Sequence, residues 1–137
     1  MSRLVLDASV ALCWLFEDQA TAYTDSVLDR LVGGDDVVVP TIWPYEIANV
    51  VAVAERRKLV NAAQAVAFLQ TLGQLSIALD RTKIQDVFSL VLEAARRYRL
   101  SAYDASYLEL AMREALPLAT GDGALRNAAR AAGVRLA

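Results

Sequence analysis

Arg3-Leu4-Val5-Leu6-Asp7-Ala8-Ser9-Val10 is the stretch that decides the fold. Its apolar run shows no alternation and ends abruptly on an acid. From Ala8 the apolar residues recur at helical spacing through 8–16. Consecutive apolar positions in a short strand mean burial on both faces, the condition of a parallel sheet covered by helices. The same kind of run returns as Val37-Val38-Val39, stopped by Pro40, then at 76–79, at Leu118-Ala119-Thr120 and at 134–136. Helical spacing fills the intervals. It runs over 22–32 and stops at Gly33-Gly34, over 43–57 with Pro44 in the first turn, and over 61–75 with Asn61 as the cap. It resumes over 83–98, 103–115 and 124–132. Glu17-Asp18-Gln19 reads as a loop. Strands alternating with helices predict one α/β domain over 1–137, with a central parallel sheet of four to five short strands and helices on both sides. In such sheets the site lies outside the carboxyl ends of the strands, near the point where strand order reverses.

Four acids fall near such positions. Asp7 directly follows the first strand, and Asp122 follows the fourth, two residues after Thr120. Glu46 lies in the first turn of the helix after the second strand, and Asp104 opens the helix before the fourth. Each heads a mainly apolar helical stripe: Val10, Ala11, Trp14 and Leu15 after Asp7; Val50, Val53 and Ala54 after Glu46; Tyr107, Leu108, Ala111 and Met112 after Asp104; Leu125 and Ala129 after Asp122. A carboxylate on an inward face is costly unless something compensates it. Helix capping explains any one of these acids. It does not explain why all four head inward stripes. If they converge, their repulsion must raise some pKa values or recruit a cation, and oxygen-only ligands suit Mg²⁺ or Mn²⁺. Glu17, Asp18, Asp35 and Asp36 sit in turns, and Glu109 and Glu114 fall outside the inward stripe of their helix.

Composition narrows the chemistry. The chain has 137 residues, 56 % hydrophobic and 22 % charged, with one Cys and no His. Without His there is no Ser-His-Asp or Cys-His triad and no His metal ligand. Cys13 lies in an apolar run and reads as a small buried hydrophobe. Net charge is −2, but it is unevenly spread: residues 1–50 hold eight acids and two bases, residues 51–137 eight acids and twelve bases. Clusters such as Arg56-Arg57-Lys58 and Arg96-Arg97/Arg99 would suit a phosphate backbone, although solvated helix faces carry such clusters too. No apolar run approaches the roughly 20 residues of a membrane helix, and no targeting segment is evident, so a cytoplasmic protein is expected.

These pieces match a known family. Leu4-Val5-Leu6-Asp7-Ala8-Ser9-Val10 resembles the first motif of the PIN-domain family. Pro40 through Glu46-Ile47-Ala48-Asn49 resembles the second, and Tyr103-Asp104-Ala105-Ser106-Tyr107-Leu108-Glu109-Leu110-Ala111 the third. Pro117-Leu118-Ala119-Thr120-Gly121-Asp122, followed by Leu125 and Ala131-Ala132-Gly133-Val134, resembles the fourth. The match spans nearly the whole chain in order, and the short single-domain form is similar to VapC-type toxins of bacterial toxin–antitoxin pairs. The resemblance implies a PIN fold and a metal-dependent endoribonuclease that hydrolyses RNA with metal-activated water. Asp7, Glu46, Asp104 and Asp122 would be the catalytic, Mg²⁺- or Mn²⁺-binding set, and Ser9, Asn49 and Thr120 the polar supports. It also implies a homodimer and a VapB-like antitoxin. At Gly121 some relatives carry a further acid, so here the fourth motif rests on Asp122 alone.

Two other classes compete. One is the same fold as a binding module that cuts nothing. The other is an acidic-site phosphoryl-transfer domain, but a phosphatase of that kind wants a second Asp where Ser9 stands, and a receiver wants a late Lys where the last is Lys83. Trp43 and Tyr45, flanking Pro44, would stack a base, receive an antitoxin segment or belong to the core.

Overall fold

A computed structural model of the protein describes residues 2–137. Four strands form one parallel sheet in the order β3-β2-β1-β4, where β1 is Arg3–Leu6, β2 Asp36–Val39, β3 Ile77–Leu79 and β4 Leu118–Ala119. The chain leaves β1 toward β2 and β3 on one side and returns to add β4 on the other. Strand order therefore reverses at β1, between β2 and β4. Leu4, Val5 and Leu6 are fully buried, as are Val37, Val38 and Val39 beside them, which is why both runs lack alternation. The edge strand β3 is shallower, with Ala78 and Leu79 exposed.

The helices are α1 (Ala8–Leu12), α2 (Ala22–Val32), α3 (Trp43–Arg56), α4 (Ala62–Gly73), α5 (Ile84–Asp86), α6 (Leu92–Tyr98), α7 (Ala102–Glu114) and α8 (Gly123–Ala131). Three expectations need correction. The first helix stops at Leu12 instead of Phe16. Its hydrogen bonds tighten to three-residue turns, Trp14 N–H to Ala11 and Leu15 N–H to Leu12, while the Trp14 indole N–H donates to the Thr24 carbonyl at 2.9 Å. That bond draws the chain over α2. The expected helix over 83–98 is interrupted by a π-helical turn, Val87–Val91, between α5 and α6. The last strand shrinks to a single bridge from Leu136 to Leu118, made by two backbone hydrogen bonds at 2.9 Å.

Local signals account for the other boundaries. Asn61 forms a reciprocal capping box with Gln64, both bonds 2.8 Å. Thr21 and Thr24 do the same for α2. Asn61→Ala removes one of these partners and should cost about 1 kcal/mol of stability, read as a lower urea midpoint with an unchanged slope. A midpoint equal to wild type would remove the box from the account of α4. Among the described residues no helix is long and apolar enough to cross a membrane.

Candidate functional site

Asp7 leaves β1 at the sheet's reversal point. Its backbone N–H completes the parallel ladder to the Ala119 carbonyl of β4 at 2.9 Å, and its side chain is buried, 4 % exposed. Two hydroxyls donate to the same carboxylate oxygen, Oδ2: Ser9 at 2.7 Å and Thr120 at 2.7 Å. Each hydroxyl in turn accepts a backbone N–H from the loop after β4, Gly121 onto Ser9 at 3.2 Å and Asp122 onto Thr120 at 3.0 Å. The loop between β4 and α8 is thereby fastened onto Asp7. Arg126 holds the same loop from its other side, donating to the Thr120 carbonyl at 2.8 Å with its guanidinium over the Tyr23 ring.

Capping turns out to describe only one acid. Asp122 accepts the Leu125 N–H at 2.8 Å as the N-cap of α8. Asp7 stands at the N-cap of α1 but makes no side-chain cap bond. α7 is capped by Ser101, which accepts the Asp104 N–H. Glu46 lies in the first turn of α3, and its Oε1 accepts the Tyr107 hydroxyl at 2.6 Å. Asn49, one turn along α3, is exposed, and no hydrogen bond ties it to the acids among the described residues. Trp43 and Tyr45 part company: Trp43 is core at 6 % exposed, whereas Tyr45 is 73 % exposed.

The electrostatics separate these carboxylates from the paired acids elsewhere. Burial pushes Asp7 above the usual carboxylate range, and Asp122 adds to the push against the lowering by Ser9 and Thr120. Burial also raises Glu46, helped by Asp7 and Asp104 and opposed by Tyr107. Asp104 is raised by burial, then by Asp7 and Asp122. Each of the three thus feels others of the set as like charge. Asp35 behaves oppositely: hydrogen bonds from Ser2 and Arg30 hold it low. Asp80 is also held low despite burial, because Arg113 and Thr82 outweigh it.

That contrast is what fits a cation. The set is oxygen-only, and it crowds negative charge with no Lys or Arg paired into it among the described residues. This is the donor chemistry of a hard divalent ion. The spacing is looser than the chemistry: among the described residues no three such side chains stand close enough to form a ready cage.

Sequence reasoning missed two groups. Tyr107 was read as an apolar member of the inward stripe, though its hydroxyl reaches Glu46. Glu109 was expected outside that stripe but is buried at 7 % exposed. Arg113 makes that burial tolerable, donating to Glu109 at 2.9 Å and to Asp80 beyond the end of β3 at 2.8 Å. The signal was present as Glu109 and Arg113 at i,i+4, a spacing that permits pairing on one helix.

Comparison with known proteins shows the family and the fold. The PIN domain profile matches residues 4–131. A VapC ribonuclease of Mycobacterium bovis is 31 % identical over 128 residues, covering 93 % of this chain and 92 % of the relative. The ribonuclease VapC9 of Mycobacterium tuberculosis matches to the same extent. In the solved structure of VapBC2 from Rickettsia felis bound to a promoter DNA fragment, one chain shares the fold with a TM-score of 0.68 at 12 % identity, covering 98 % of this chain and 97 % of that one. With a family profile spanning nearly its whole length and relatives 31 % identical over 93 % of it, this chain belongs to the PIN-domain family, in its VapC-type branch.

Proposed function

We propose that this protein is a metal-dependent endoribonuclease, the toxin of a toxin–antitoxin pair, acting as one domain over 1–137. The observation that carries the reading is Asp7: a buried carboxylate at the sheet's reversal point, oriented by two hydroxyls and pressed by like charge. A fold gains nothing from such an arrangement unless a cation or substrate answers it. The ribonuclease names of the mycobacterial relatives support the reaction class. The VapB-bound state of the Rickettsia complex supports a VapB-like antitoxin as partner, and the family resemblance implies a second copy of the chain.

Asp7, Glu46, Asp104 and Asp122 would hold Mg²⁺ or Mn²⁺. When bound, such an ion supplies acidity to water and offsets charge on the scissile phosphate. The chain does the rest. Ser9 and Thr120 fix which oxygen of Asp7 faces inward. Arg126 fixes the carbonyl of the loop that carries Asp122. One carboxylate of the set takes the proton from the attacking water, and basic side chains such as Arg96, Arg97 and Arg99 hold the RNA backbone. Displacement leaves a 5′-phosphate and a 3′-hydroxyl. No covalent nucleophile is needed, which suits a chain without His.

One observation favours a second reading, a binding module that cuts nothing: the acids do not stand as a ready cage. Cleavage of mixed RNA oligonucleotides by wild type and Asp104→Asn, each with and without Mg²⁺ or Mn²⁺, decides between them. The expected result is metal-dependent cutting lost in the variant. No cutting by wild type on any RNA, with Mn²⁺ still bound, would favour the module. Equal cutting by both proteins would place the chemistry elsewhere.

A further inference from the structure

We propose that Tyr107 is a positioning residue of the acidic site, whose hydroxyl holds the Glu46 carboxylate inside the cluster. The proposal rests on the metal-binding reading above and assigns a residue outside the acidic set.

Tyr107 sits three residues after Asp104, on the same face of α7, and is fully buried. Packing alone would be served as well by Phe at that place. The hydroxyl is what distinguishes it, and a buried hydroxyl needs a partner. Its partner lies 61 residues away on another helix: Glu46 Oε1, at 2.6 Å. One hydroxyl therefore connects the first turn of α3 to the first half of α7.

Glu46 needs such a tether. It is half-buried, and among the described residues no Lys or Arg forms an ion pair with it. Asp7 and Asp104 repel it. A Glu side chain turns about three bonds, and its cheapest response to two neighbouring carboxylates is to swing into water. The Tyr107 ring is locked by the core, so its hydroxyl offers a donor at a fixed point. Asp7 is held by Ser9 and Thr120; Tyr107 does the corresponding work for Glu46.

The test is calorimetric titration with Mn²⁺ of wild type, Asp7→Asn, Tyr107→Phe, Glu46→Ala and the Tyr107→Phe/Glu46→Ala double variant. Tyr107→Phe should weaken Mn²⁺ binding about 10- to 100-fold, the usual effect of removing a group that orients a ligand. In the Glu46→Ala background the same change should matter less than about twofold, since nothing is left to hold. Unchanged affinity in Tyr107→Phe overturns the role, and so does an equal loss in both backgrounds, which would mean general packing. If Tyr107→Phe does not fold, wild type answers by NMR. The Tyr107 hydroxyl proton should shift with Mg²⁺ at the concentrations that saturate the protein, and an unmoved resonance overturns the role. A wild type that binds no Mn²⁺ sinks the metal reading and this role with it. Binding that is lost in Asp7→Asn but kept in Tyr107→Phe sinks this role alone.

Discussion

Asp7→Asn should lower RNA cleavage by on the order of a thousandfold, about 4 kcal/mol of transition-state stabilisation, and at the same time raise the melting temperature by a few degrees. The two effects have one cause. Asp7 is 4 % exposed, and burial raises its pKa in the folded protein above the unfolded value. A raised carboxylate opposes folding while it is ionised. The cost is absent below the unfolded pKa, grows as pH rises between the two values, and is complete above the folded one. At neutral pH the wild type carries it in full. Asparagine keeps the shape and a carbonyl oxygen that accepts from Ser9 and Thr120, but carries no charge. The variant's advantage should therefore shrink as pH is lowered through the Asp7 titration and vanish below the ordinary carboxylate range. Melting curves across pH, with and without Mn²⁺, check each part. Mn²⁺ should raise the wild-type midpoint and leave the variant's nearly unmoved. An Asp7→Asn protein that is inactive and also less stable at neutral pH would show that the carboxylate serves the fold, and the site would lose its central residue.

How much of this was legible in the sequence depends on what kind of contact each feature needs. β1 and β2 were legible because burial on both faces leaves consecutive apolar residues, Leu4 to Leu6 and Val37 to Val39. The end of α2 came from Gly33-Gly34, and the start of α4 from the Asn61 cap. The four acids could be singled out because an acid heading an apolar stripe is a local contradiction, visible without a partner. Several of the misses were pairwise. Nothing near Trp14 announces that its indole reaches the Thr24 carbonyl and ends α1 early. Tyr107 looked like one more core aromatic, because its partner Glu46 lies on another helix. Glu109 was misplaced because its compensation is Arg113, one turn along its own helix, whose guanidinium it shares with Asp80 at the end of the edge strand. Asp80 itself follows a strand, the feature that marked Asp7 and Asp122. Only the Arg113 guanidinium tells it apart.

That guanidinium sets the second large effect. Arg113→Met should destabilise the protein by about 2–3 kcal/mol at neutral pH, toward the lower end of the range for breaking a buried ion pair from one side. The discount is for exposure. The Glu109 and Asp80 side chains are 9 % and 16 % exposed, but Arg113 itself is 34 % exposed and water screens part of its charge. Methionine preserves most of the stem and removes the charged fork, so what is measured is the loss of the cation shared by Glu109, Asp80 and the more exposed Glu114. The pH dependence identifies the cause. Asp80 is held below its unfolded pKa by Arg113 and Thr82. A lowered carboxylate contributes stability that is present above the unfolded pKa and lost as pH falls through the folded one. The gap between wild type and Arg113→Met should therefore be widest near neutrality and close in acid, the mirror image of Asp7→Asn only in sign. Adding Glu109→Leu to Arg113→Met should recover part of the loss, because an apolar side chain needs no partner where a carboxylate does. A gap that stays constant with pH would mean that the loss comes from the fork's packing and not from its charge. In that case Asp80 would no longer be set apart from the four acids by its partner, and the separation between paired and unpaired carboxylates that marks out the site would have to rest on burial and repulsion alone.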